Sequence, residues 1–199
     1  MIKRGLHQRN RFRSAFAAIL ILCCGAFAGC ATTGDVFRDD TMDFGSIKSV
    51  AVLPFANLSK DQLAGERVRD VFNTLLMASG ALYVIPSGEV ARGVAAAGVA
   101  NPAAPSADDV MKLAKNVKVD AVISGVVREY GDVRSGTSSA DVISLSLQLA
   151  EAQTGRIVWS ASTTQGGISM MDRLFGGGGR PLNDVTEKAV NDLITKLFE

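Results

Sequence analysis

Residues 46–199 predict a single α/β domain, an α+β sandwich in which a mixed sheet of about five strands carries helices packed on it. Three observations predict it. Strand and helix patterns alternate in the first half, so parallel strands have crossover helices to join them. Residues 141–150 alternate apolar and polar side chains and lead through a turn into a second strand, as an antiparallel hairpin does. The chain closes on an amphipathic helix. The order reads β-α-β-α-α-β-β-β-α.

Each element has a local cause. Residues 47–55, IKSVAVLPF, are rich in valine and end at Pro54, which reads as a strand. Residues 63–79 put Val68, Val71, Phe72 and Leu75 at i, i+3, i+4 and i+7. Glu66, Arg67, Arg69 and Asp70 take the other face, and Gly80 stops the helix. Residues 81–85 form a short buried strand closed by Pro86. Ser87 is placed to cap a helix over residues 89–97, broken by Gly98 and a loop with Asn101-Pro102 and Pro105. Ser106 through Asp109 reads as an N-cap with acids in the first turn. Behind it, Val110, Leu113, Ala114 and Val117 share one face.

Asp120 opens a strand over residues 121–128. Residues 129–140 are mostly Gly, Ser, Thr and charges and read as a loop, with no room for a hairpin of membrane-spanning strands, each of which needs about 9–11 alternating residues. In residues 141–150, Ile143, Leu145, Leu147 and Leu149 point one way, and Ser144, Ser146 and Gln148 the other. Gln153-Thr154-Gly155-Arg156 is the turn, and residues 157–162 return. Trp159 reads as core or sheet-face packing rather than a binding platform; Tyr130 is left without a role. After a glycine-rich loop, Asn183 is placed to cap the last helix, whose stripe is Val185, Ala189, Leu193 and Leu197, widened by Val190 and Ile194.

The first 29 residues read as a signal peptide and residues 30–45 as a lipidated cysteine with a short tether. Lys3, Arg4, Arg9, Arg11 and Arg13 form a positive start with no acid. Residues 15–28 are an apolar run too short to span a membrane, which needs about 20 residues. Phe27-Ala28-Gly29-Cys30 then brings small residues to a cysteine. Alternatives are a cut after Ala28 at the A-x-A pattern, acylation at Cys24, or retention as an uncleaved anchor. With cleavage before Cys30, His7, Cys23 and Cys24 leave with the signal. The mature chain then has no histidine, one cysteine, and 16 basic against 20 acidic side chains, a net charge of −4. That charge argues against nucleic acid and against electrostatic binding to anionic lipid heads. Thirteen tether residues span about 20 Å on average and about 45 Å at most.

Without histidine, a Ser-His-Asp or Cys-His set has no base, and zinc has no nitrogen ligand. Nothing in the mature domain resembles S-x-x-K. Asp39-Asp40 and Asp108-Asp109 would hold a hard cation weakly and read better as solvated or helix-start pairs. The run from Phe175 to Arg180 lacks the G-K-[ST] ending of a phosphate loop, so no nucleotide is expected. No cofactor and no metal are implied. Ile168, Met170, Met171, Leu174 and Phe175 have two readings. One is a short turn packed on the sheet edge. The other is a mobile contact loop for a partner, a neighbouring subunit or the membrane interface.

VAVLPFANLS at 50–59, LYVIPSGEV at 82–90, VDAVISGVVREYG at 119–131 and LSLQLAEAQTGRIVWS at 145–160 resemble a broad family of periplasm-facing bacterial lipoproteins. That family includes the curli secretion lipoprotein (CsgG-like) and the penicillin-binding-protein activator LpoB. The resemblance spans residues 47–199. It implies that Cys30 carries diacylglycerol and acyl chains such as palmitate. It also implies that Ala31 after the cysteine directs the protein to the outer membrane, facing the periplasm. It further implies a non-enzymatic binding or assembly accessory in secretion or cell-envelope assembly, with a protein partner or self-association as a ring or small oligomer. The alternative is an activator of a peptidoglycan synthase, and a cryptic hydrolase is a third class. The chain departs from the secretion channel in lacking alternating segments for a membrane barrel, and from the activator in its short tether.

Overall fold

The computed structural model describes residues 36–135, 138–167 and 180–199. Cys30 and the segment with Ile168, Met170, Met171, Leu174 and Phe175 lie outside these. The strands are β1 (Val36–Arg38), β2 (Ser49–Val52), β3 (Ala56–Asn57), β4 (Tyr83–Val84), β5 (Ala121–Ser135), β6 (Ser138–Glu151) and β7 (Ile157–Gly166). The helices are α1 (Ala64–Ser79), α2 (Ser87–Ala97), α3 (Ala107–Val117) and α4 (Leu182–Phe198). None of the described helices is long and apolar enough to cross a membrane.

The seven strands form one mixed sheet in the order β4-β2-β5-β6-β7-β1, with β3 paired to the far part of β5. β2 runs parallel to β4 and β5, whereas β5, β6, β7 and β1 are successively antiparallel. The alternation of residues 143–149 has the expected result. Leu145, Leu147 and Leu149 join Val50, Val52 and Ile123 under α1 and α4. From α1 come Val68, Phe72 and Leu76, and from α4 Val185, Ala189 and Leu193. Trp159 is 1% exposed in this layer, and its indole N–H donates to the Lys196 carbonyl at 3.2 Å, tying β7 to the end of α4. Tyr130 packs against the same core. On the opposite face, α2 and α3 cover β2, the start of β5 and the end of β6: Ala51, Leu53, Val122 and Ala150 meet Val90, Val110 and Leu113.

The structure departs from the sequence reading in four places. Seven strands replace about five, because β1 and β3 are too short to show a period. β1 lies within the expected tether and pairs with β7 through Val36↔Ala161 to Arg38↔Trp159. Arg38 also donates to the Leu197 carbonyl at 3.1 Å and its guanidinium sits 3.8 Å over the Phe44 ring, so residues 36–43 belong to the domain. Residues 129–140 are not a plain loop. β5 and β6 stay paired as far as Ser135↔Ser138, with a bulge between Val127 and Glu129. Backbone ladder bonds carry this hairpin, so its small polar side chains gave no periodic signal. Ser87 and Asn183 lie inside their helices, which start after Pro86 and Pro181; the Asn183 amide donates to Glu187 Oε1 at 2.8 Å. Ser106 and Asp109 do form the expected capping box.

Asp120 joins the starts of β2 and β5. Its Oδ2 accepts the Lys48 N–H, the Ser49 N–H and the Ser49 hydroxyl, each at 2.9 Å. The Lys48 N–H, ahead of the Ser49 donors, holds this carboxyl below the ordinary carboxylate range against the opposing pull of burial. A depressed folded-state pKa gives stability that is complete above the unfolded value near ~3.9 and is lost as pH falls through the folded value. Urea midpoints are expected to drop below about pH 4. Asp120→Asn keeps an acceptor oxygen and removes the titration, so its acid slope is expected to be shallower; superimposable slopes would show that this carboxylate does not contribute.

Candidate functional site

The uncovered part of the sheet is the candidate site. On β6 the side chains opposite the leucines are Ser144, Ser146 and Gln148. The register sets them beside Thr164, Ser162 and Ser160 of β7. Ser124 and Val126 of β5 stand across from Gln148 and Ser146. Arg128, at the bulge, donates to the Ser146 hydroxyl and so lies on this same face. Because α2 and α3 stop short, Ser124, Val126, Arg128, Ser146, Gln148, Ser160 and Ser162 floor a shallow groove of about 770 Å³, while Ser144 is buried and lies outside it.

One wall is the segment 103–107 leading into α3; the other carries Val36 and Phe37 of β1 with Ile157 of β7. Phe37 and Ile157 are 51% and 44% exposed, which gives the groove an apolar rim. Gly155 fixes its end. Its φ is +67°, and a Cβ there would approach the Ala107 carbonyl oxygen to 2.4 Å, so only glycine lets the β6–β7 turn seat against α3.

Little here favours bond-breaking chemistry. The carboxylates held below their ordinary range are engaged elsewhere. Asp39 accepts from the Thr41 hydroxyl and N–H and pairs with Arg156 at 2.8 Å. Asp109 accepts the Ser106 hydroxyl and N–H. Asp192 is pushed up by burial but drawn down more by Lys196 and Thr163 together. The pairs Asp39-Asp40 and Asp108-Asp109 therefore include a turn tie and a helix cap. Among the described residues, no three His, Cys, Asp or Glu side chains gather as a metal site.

Of the residues singled out from the sequence, Ser146 and Gln148 reach this face, Ser144 is buried beyond its end, and Trp159 and Tyr130 go to the core. Arg128, Ser160, Ser162, Phe37 and Ile157 were missed. A signal existed: Ser160-Ala161-Ser162 and Ser146 put small hydroxyls where a solvated strand face usually carries long charged side chains.

The fold and this face define an open-faced α/β domain of mixed sheet. The chain belongs to the GNA1162-like lipoprotein family, whose model matches residues 42–191. No protein of curated function matches it by sequence. Lipoprotein GNA1162 from Neisseria meningitidis aligns with a TM-score of 0.55 and 20% identity over 76% of this chain and 98% of its own. A PelC dodecamer from Paraburkholderia phytofirmans aligns with a TM-score of 0.55 and 19% identity, covering 82% of this chain and 98% of the PelC chain. The C-terminal domain of LpoB from Salmonella enterica gives a TM-score of 0.47 at 17% identity over 63% of this chain and 86% of its own. That fit is too loose to weigh on function. At these identities the likenesses to GNA1162 and PelC show a shared fold.

Proposed function

We propose that this protein is a lipoprotein anchored through Cys30 to the periplasmic face of the outer membrane. Its domain acts without catalysis, as an assembly accessory in secretion or cell-envelope assembly, and it associates with copies of itself through the open sheet face. The carrying observation is that face: a floor of small hydroxyl side chains with one charge, Arg128, and an apolar rim. Serines lose little rotamer freedom on contact and let a second surface approach the backbone closely, whereas long charged side chains would resist desolvation. The dodecamer formed by PelC on the same fold favours self-association. Membership of a lipoprotein family and the sequence leading to Cys30 favour the anchor.

Six peptide steps separate Cys30 from Val36, about 20 Å at full extension. That reach keeps the domain beside the membrane and disfavours activation of a synthase across the cell wall. Ile168, Met170, Met171, Leu174 and Phe175 are proposed as a second, apolar contact on sequence grounds. Intact-mass analysis of protein from native cells tests the anchor. The expected product starts at Cys30 with added diacylglycerol and acyl mass. A chain that keeps its first 29 residues, or one without acyl mass, would refute the anchoring.

A further inference from the structure

We infer that the crevice beyond the carboxyl end of β2 binds a small, neutral, hydroxyl-rich molecule with the chemistry of a sugar ring. The topology places it. β2 lies between β4 and β5. The chain passes from β2 to β4 through α1 on one face of the sheet, and on to β5 through α2 and α3 on the other. Where connections part in this way, an open α/β sheet leaves a crevice outside its strand ends, and ligands bind there. Here the crevice encloses about 560 Å³ between the end of β2, α1 and the start of α2, within the size range of small-molecule sites.

Asn73 gives the chemical reason. It lines the crevice from α1, is only 8% exposed, and its Oδ1 has no hydrogen-bond partner. Its amide nitrogen donates to the Ser87 hydroxyl at 3.3 Å. A buried polar atom without a partner costs stability, and leucine would occupy the same volume without that cost. A ligand hydroxyl supplies what is missing, and it suits either orientation of the amide because it both donates and accepts.

The other polar groups set the ligand's charge. Arg69 Nε and Nη2 donate to the Val52 carbonyl at 3.2 and 2.7 Å, which fixes the guanidinium beside the crevice. Glu66 and Asp70 line it from the same helix. Two carboxylates against one guanidinium disfavour an anion, and the fixed guanidinium disfavours a cation. Carboxylate, guanidinium and amide together match vicinal hydroxyls.

The test titrates the purified full-length ¹⁵N-labelled protein in detergent micelles with glucose, galactose, mannose and N-acetylglucosamine. Glucose 6-phosphate and glucosamine serve as anionic and cationic counterparts. A neutral sugar is expected to saturate in the millimolar range and to move the Asn73 side-chain amide and the Ser87 backbone signal. Asn73→Leu is expected to weaken binding at least about tenfold while its melting midpoint stays level or rises. Ser87→Ala, at an exposed position, is expected to weaken binding with folding unchanged. Absence of saturable shifts, tighter binding of either charged sugar, or an Asn73→Leu protein that melts lower and binds as before would overturn the assignment.

Discussion

Replacing Trp159 with alanine is expected to lower the unfolding free energy by about 3–5 kcal/mol. Trp159 is among the largest fully buried side chains and lies where β7 meets α4. Truncation leaves a cavity between the sheet and α4 that neighbouring leucines fill only in part. It also leaves the Lys196 carbonyl without its indole donor, which adds about 1 kcal/mol. Trp159→Phe keeps most of the ring volume and loses the N–H, so a much smaller cost is expected. At about 2–4 °C per kcal/mol for a chain of this size, the alanine variant is expected to melt about 6–20 °C lower. Trp159 is the sole tryptophan, so unfolding is best followed by far-ultraviolet circular dichroism. A loss under about 1 kcal/mol for Trp159→Ala would contradict its place in the core.

The pair Ile157→Lys and Ser162→Arg is expected to abolish self-association with little effect on folding. Ile157 belongs to the exposed rim and Ser162 to the half-buried floor. Both have room for a long side chain in the free protein, so stability is expected to stay within about 0.5 kcal/mol of wild type. In an assembled protein the same side chains put two positive charges beside Arg128 and hold the surfaces apart. A loss of at least about a hundredfold in association is expected, close to 2.7 kcal/mol. Light scattering after size-exclusion chromatography reads this directly. Run on Met171→Ser with Phe175→Ser, the same measurement separates the proposed apolar contact from the sheet face. A double groove variant that keeps the wild-type mass would remove the sheet face from the assembly.

Most of the layered fold was legible because one physical rule dominated at each place. Val68, Val71, Phe72 and Leu75 follow the helical period, and Leu145, Leu147 and Leu149 the strand period; Val68, Phe72 and the three leucines of β6 are buried, and Val71 and Leu75 pack partly buried against the same core, which also takes Leu76. The Ser106–Asp109 capping box and the Gly80 stop, with φ at +64°, are local chemistry and needed no tertiary information. Elements that depend on distant partners were not legible. β1 exists because β7 offers an edge to Val36–Arg38. The outer β5–β6 hairpin is held by its ladder, and residues 129–139 carry no apolar period of their own.

The candidate site was half visible. Ser146 and Gln148 of β6 were placed on the outward face, though Ser144 beside them is buried, and their meaning required β7 alongside and α2 and α3 ending early. Asn73 was passed over beside Phe72, although a polar residue next to an apolar stripe position is a readable signal. Its lack of a partner appears only when α1 is set against the start of α2.

Photo-crosslinking in intact cells tests most directly whether the open sheet face joins copies of this protein. A benzophenone side chain in place of Ile157 stands on the groove rim, and one in place of Lys188 stands on the exposed side of α4. The expected result is a ladder of self-crosslinked species from position 157 and monomer from position 188. Monomer alone from position 157, or equal ladders from both, would contradict assembly through this face.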